Sequence, residues 1–217
     1  MATPSPTPTP QQPVRLVPAV EEPAAGPLAG DPSLVGFPSF LVGALTIGMV
    51  SIGVVPATAI GASMPIVIAA AIGMFLATIW AARIGESAPA GISGIVGGFL
   101  LSYALLVLGL VHGWFGIAPT AVADTQKMFL IAWIAIVSML VLATLRLPVG
   151  YTLLFAAVDA ALILNLLGVI QTSANLTKAC GWVLMAVSAM VVYLFFSSAS
   201  GATGGKELPL GPPVLHS

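Results

Sequence analysis

Long runs without a charged residue constrain the fold of this sequence more than any other feature. Residues 32–82 and residues 87–123 contain no Asp, Glu, Lys or Arg. A helix of about 20 residues crosses the hydrocarbon core of a bilayer, so the first run alone has room for two crossings. Only 6% of the chain is charged, whereas soluble domains carry about 25% charged residues. The sequence therefore predicts an all-α integral membrane protein.

Turn residues and isolated charges divide the apolar sequence into six predicted crossings. Residues 53–61 contain Pro56 and two glycines and separate the first two crossings, and Gly113, Gly116 and Pro119 close the third. The result is a six-helix transmembrane domain over residues 30–200, with spans at about 36–55, 62–82, 91–116, 128–146, 151–170 and 179–197.

The basic residues outside these spans indicate how the chain lies in the membrane, because cytoplasmic loops carry an excess of Lys and Arg. If both termini are cytoplasmic, four of the six basic residues lie inside and two outside. The four are Arg15, Arg83, Arg146 and Lys206, and the two are Lys127 and Lys178. Residues 1–29 do not show the basic start and apolar core of a signal peptide. We therefore expect a multi-pass protein of the inner (plasma) membrane with cytoplasmic N and C termini.

The two ends of the chain differ in composition from the spans. Residues 1–29 are rich in Pro and Thr, a composition that cannot bury apolar surface and is typical of disordered chain. Residues 201–217 are rich in Gly and Pro and predict a short, irregular cytoplasmic segment.

Few residues of this sequence could carry chemistry. The acidic and basic residues nearly cancel, so nothing attracts nucleic acid. Cys180 is the single cysteine, and His112 has no carboxylate or thiol at metal-ligand spacing. We therefore expect no enzyme, no metal site and no cofactor. We expect membrane lipid to surround the six spans.

Asp159 is the one ionisable residue deep inside a predicted span. A carboxylate at the centre of a membrane helix costs about 2.5–3.5 kcal/mol on insertion scales, so it should face protein or a water-filled path. Asn165 lies on a different face of the same helix and cannot satisfy it. Two interpretations stay open: Asp159 lines or gates a pathway, or it makes a structural hydrogen bond to a neighbouring helix.

Gly94 and Gly98 form a small-xxx-small pair in the third span. Such pairs allow helices to approach closely. The pair predicts a tight bundle and is compatible with self-association.

Several short motifs occur in an order that resembles the acetate uptake transporter family, which includes bacterial succinate–acetate and fungal acetate permeases. Residues 31–40 (DPSLVGFPSF) resemble its N-terminal motif, with Asp31, Pro32, Gly36 and Phe37 as the matching positions. Further landmarks over residues 30–212 are Trp133, Leu145–Arg146, Gly168, Gly181–Trp182, Tyr193 and the segment LPLG at 208–211. The chain departs from the pattern at Asp31, where the family has Asn, and at Leu34, where it has Pro. It is therefore expected to be a divergent member.

The resemblance implies a pore in each protomer, with a constriction formed by one side chain from each of three helices. The family positions correspond to Phe40, Gly98 and Val158, with Tyr103 as an alternative to Gly98 if a gap is allowed. Asp159 then lies beside the constriction. The resemblance also implies a small organic anion such as acetate or succinate as substrate, and a homo-oligomer, namely a hexamer.

The residues leave the mechanism and two other functions open. An ionised Asp159 in the path would repel an anion, so transport would be either channel-like past a protonated group or coupled to protons. One alternative function is a channel for small neutral amides, urea or ammonia. The other is a non-transporting membrane subunit of a larger complex.

Overall fold

Six long helices make up most of the part of the protein that the structure describes. The structure is a computed structural model that describes residues 30–215; the predicted disordered tail, residues 1–29, lies outside this range. All six helices are long and apolar enough to cross a membrane, which confirms the predicted all-α six-span fold. They are α1 (Ser33–Ile52), α2 (Ile60–Arg83), α3 (Ser87–His112), α4 (Val122–Ala143), α5 (Val149–Gln171) and α6 (Ala174–Ala202).

The helix ends differ from the predicted spans where local signals outweigh hydropathy. Helices α1 and α3 stop before the predicted residues 55 and 116, because Gly53 (φ 87°) and Gly113 (φ 66°) adopt the left-handed conformation that ends a helix. Helix α6 extends past the predicted residue 197 to Ala202. Its last turn is helical but less apolar, so hydropathy does not mark it.

The six helices form a closed ring in the order α3, α2, α1, α6, α5, α4. Helices α1 and α6 approach most closely at two glycines: a Cβ atom on Gly181 would lie 2.9 Å from the carbonyl oxygen of Gly48. The predicted Gly94–Gly98 pair lies at contacts between helices of the same chain. A Cβ on Gly94 would lie 3.4 Å from Thr78 of α2, and one on Gly98 would lie 3.4 Å from Trp133 of α4.

An aromatic cluster closes the ring between α3 and α4, whose backbones meet at few points. Phe99 and Tyr103 project from α3, and Phe129 and Trp133 project from α4. The Phe99 ring lies 5.4 Å from Trp133 and 6.1 Å from Phe129, between ring centroids. These edge-to-face and tilted contacts are favourable for aromatic rings. They explain why Trp133 lies inside a span.

The C-terminal segment, residues 203–215, follows α6 without a further helix and is anchored to the end of the bundle. Helix α5 begins after Pro148, and its first amide groups have no partner within the helix. The backbone N–H groups of Val149 and Gly150 donate to the carbonyl oxygens of Pro212 (3.2 Å) and Leu210 (3.0 Å). The Tyr193 hydroxyl donates to the Pro209 carbonyl at 2.9 Å. The segment thereby forms part of the wall at this end of the bundle.

Candidate transport path

A narrow cavity lies in the middle of the ring of helices. Its volume is about 40 Å³, which leaves room for only a few water molecules. Five helices line it, all except α2, and most of the lining side chains are apolar. Three of the lining residues carry a polar group in their side chain, namely Tyr103, Asn165 and Cys180.

A wide cavity of about 470 Å³ lies at one end of the bundle. Its wall is formed where the start of α1, the α2–α3 turn, the α4–α5 turn and the C-terminal segment meet. The four predicted N-terminal motif residues, Asp31, Pro32, Gly36 and Phe37, all line it. The structure therefore brings the whole motif to one site.

The N-terminal motif also fixes the start of α1. The carboxylate of Asp31 accepts a hydrogen bond from the Ser33 backbone N–H at 2.8 Å, where a negative group stabilises the N-terminus of a helix. The Ser33 hydroxyl donates to the Ser198 hydroxyl of α6 at 2.8 Å. These contacts hold the first turn of α1 against α6 at the wall of the wide cavity.

Two stacked phenylalanine rings separate the two cavities. Phe40 of α1 and Phe155 of α5, together with Val96 of α3, line both of them. The two rings lie 6.4 Å apart between centroids, with an angle of 14° between their planes, and they are 7% and 2% exposed. In this arrangement the rings close the passage from the wide to the narrow cavity.

The predicted constriction residues are only partly brought together. Phe40, Val158 and Tyr103 line the narrow cavity, whereas Gly98 faces Trp133 and is not part of its lining. Of the two alternatives on α3, Tyr103 lines the narrow cavity and Gly98 does not.

Asp159 lies outside both cavities, at the contact between α4 and α5. Its Oδ2 atom accepts a hydrogen bond from the Ser138 hydroxyl of α4 at 2.8 Å. Its Oδ1 atom is buried and has no hydrogen-bond partner among residues 30–215. This position agrees with the structural interpretation of Asp159, in which the residue binds a neighbouring helix.

Two residues that line the narrow cavity, Phe155 and Asn165, were not predicted from the sequence to do so. Phe155 lies three residues before Val158 and Asn165 lies seven after it, so helical periodicity places all three on one face of α5. That spacing was a usable signal once Val158 had been chosen. Nothing in the sequence distinguished Phe155 from the other apolar residues of the span.

Comparison with known proteins decides the family. The profile of the GPR1/FUN34/yaaH family matches residues 15–205, which is most of the chain. The chain belongs to this family. The match confirms the resemblance to acetate uptake transporters.

A solved structure has the same fold. The bacterial acetate channel SatP aligns with a TM-score of 0.74 at 19% sequence identity, over 84% of this chain and 99% of that chain. No curated protein matches the chain. Together with the six apolar helices, the family and the fold identify a multi-pass membrane protein that shares the six-helix fold of that structure.

Proposed function

We propose that this protein carries acetate, or another small carboxylate such as succinate, across the inner membrane through a path inside each protomer. The observation that carries the proposal is the pair of cavities inside the ring, joined at Phe40 and Phe155. Family membership and the shared fold with a protein described as an acetate channel support it.

The Phe40–Phe155 pair acts as a gate. The narrow cavity has room for only a few water molecules, so a hydrated solute passes only when the rings move apart. A stacked aromatic pair contributes about 0.5–1.5 kcal/mol beyond its buried area. This stacking energy is one part of the free energy that opening the gate costs.

Two polar groups beyond the gate suit a carboxyl group. Asn165 and Tyr103 both line the narrow cavity, and the side chain of each can donate a hydrogen bond. A polar solute in an apolar passage loses several kcal/mol of hydration unless such bonds replace it. We assign both residues to solute binding in the narrow cavity.

The mechanism is channel-like. Within residues 30–215, no carboxylate or histidine lines the narrow cavity, and Asp159 is bonded to Ser138 outside it. A proton-coupled carrier that used Asp159 would need this carboxyl group at the path. An Asp159→Asn variant is expected to keep both the rate and the pH dependence of uptake.

Assembly is part of the proposal. The family resemblance implies a ring-shaped hexamer with cytoplasmic termini, in which each protomer keeps its own path. Native mass spectrometry of the protein in detergent tests this assembly; a monomer as the only species would contradict it.

Flux of labelled acetate into liposomes that contain the purified protein tests the function. Uptake above that of protein-free liposomes, measured at pH 8 where acetate is almost entirely anionic, is the expected result. Folded protein that conducts labelled urea but no acetate would contradict the proposal and favour a neutral-solute channel. Folded protein that conducts neither would favour a non-transporting subunit.

A further inference from the structure

The charges at the wide-cavity end of the bundle are sorted by sign. Three carboxylates line the wide cavity: Asp31 before α1, Glu86 before α3 and Glu207 in the C-terminal segment. The basic residues at the same end of the described chain, Arg83, Arg146 and Lys206, are exposed and are not part of the lining.

The carboxylates act through their field and not as a binding site. Among residues 30–215, no group of three acidic, His or Cys side chains is close enough to hold a metal ion. Among residues 30–215, the only other titratable group that lines this cavity is the phenol of Tyr151 on α5. The described lining therefore contains three carboxylates and no basic side chain, while the three basic residues at this end lie outside the lining.

A cavity whose lining carries charges of one sign concentrates the electric field inside it. Clefts of this kind change the local concentration and arrival rate of charged solutes by about 10- to 1,000-fold. For a carboxylate anion the sign is unfavourable, because like charges repel.

We propose that the wide cavity is an electrostatic filter in which Asp31, Glu86 and Glu207 slow the passage of carboxylate anions to the Phe40–Phe155 gate. The inference rests on the proposed function, because it names the step that limits transport of the anion. The filter lies in series with the gate, so it lowers anion flux in both directions across the membrane.

Two features make the filter distinct from the general charge of the protein. The formal net charge is only −1, so the chain as a whole exerts little repulsion at a distance. The three carboxylates also line the same cavity as Phe40 and Phe155, so an anion that crosses this cavity to the gate enters the space that they line.

The test is acetate flux at pH 8 into liposomes with wild-type protein and with a variant that combines Asp31→Asn, Glu86→Gln and Glu207→Gln. At low ionic strength the variant is expected to conduct about tenfold faster, the lower end of the range for such clefts, because Glu86 and Glu207 are exposed to water. Asp124→Asn is the matched control, since Asp124 lies at the other end of the bundle and pairs with Lys127. It is expected to leave the flux unchanged.

Salt dependence of the wild type provides a second readout that needs no variant. The Debye length falls from about 30 Å at 0.01 M salt to about 8 Å at 0.15 M, so added salt should screen the filter and raise the flux. The difference between wild type and the neutralised variant should shrink in parallel. Wild-type flux that does not change with salt would overturn the inference.

The outcomes separate the two proposals. Acetate flux in the wild type that equals that of the neutralised variant would overturn the filter and leave the transport function standing. Folded wild-type protein and folded variant that both fail to conduct acetate at any salt concentration would overturn the function and the filter together.

Discussion

Replacing Gly181 with Ala tests the contact between α1 and α6. The Cβ of the new side chain would lie 2.6 Å from Ile52 Cγ2, 2.9 Å from the Ile52 backbone nitrogen and 2.9 Å from the Gly48 carbonyl oxygen. Two of these three atoms belong to the backbone, so no rotamer change relieves the clash. Helices α1 and α6 must move apart by several tenths of an ångström to restore ordinary contact.

The expected cost follows from that geometry. Overpacking of a well-packed interior costs about 1–3 kcal/mol. Gly91→Ala is the matched control, because a Cβ on Gly91 of α3 meets nothing within 4 Å. Since Ala is favoured over Gly inside a helix by about 1 kcal/mol, Gly91→Ala should be neutral or stabilising. Gly181 also lies inside a helix and gains the same preference, so the two variants should differ by the overpacking cost, about 1–3 kcal/mol.

The chain contains a built-in probe for this measurement. Cys180 is the single cysteine and is buried, so a fluorogenic thiol reagent reports its exposure as the protein unfolds in detergent. Circular dichroism at the same temperatures provides a probe that does not depend on the neighbouring cysteine. If Gly181→Ala unfolds at the same temperature as Gly91→Ala by both probes, the close α1–α6 contact is refuted.

Three further predictions concern single contacts. Ser138→Ala removes the hydrogen bond to Asp159 and should destabilise the fold by about 1–2 kcal/mol, toward the upper end of values for such bonds in membranes. A double-mutant cycle with Asp159→Asn should show coupling between the two residues, whereas additive effects on stability would argue against the bond. Asp159→Asn alone should keep wild-type acetate flux and pH dependence, and loss of pH dependence in folded protein would restore the coupling role. Tyr193→Phe removes the bond to Pro209 and should cost about 1 kcal/mol in an unfolding titration, so an unchanged midpoint would mean that the C-terminal segment is not held by this bond.

The architecture could be predicted from the sequence because a bilayer imposes simple demands. Every crossing needs about 20 apolar residues and most charges lie near span ends, so the two long charge-free runs predicted three crossings, and isolated charges and turn residues divided the rest of the chain into three more. The helix ends were less accurate, since left-handed glycines such as Gly53 end helices at positions that hydropathy does not mark.

The path was only partly predictable, because a nearly uniform apolar sequence does not show which face of each helix turns inward. The family resemblance led to Phe40, Val158 and Tyr103, which all line the narrow cavity. It also led to Gly98, which contacts Trp133 instead. Phe155 looked like any other apolar residue of its span.

The hydrogen-bond partner of Asp159 was also not predictable from the sequence. The sequence established that a carboxylate inside a membrane span needs a partner. It could not identify Ser138, which is 21 residues away on another helix, as that partner. The choice between the two interpretations of Asp159 therefore depends on tertiary contacts that the sequence does not show.

The central claim, that solute passes between Phe40 and Phe155, is tested most directly by acetate flux through a Phe155→Leu variant. Loss of the stacked ring removes about 0.5–1.5 kcal/mol from the cost of opening, so flux should rise about two- to tenfold. Phe196→Leu is the control, because Phe196 is 58% exposed on the outside of the bundle. Faster flux in Phe155→Leu alone is the predicted result; equal flux in wild type and both variants, with all three folded, would contradict the gate.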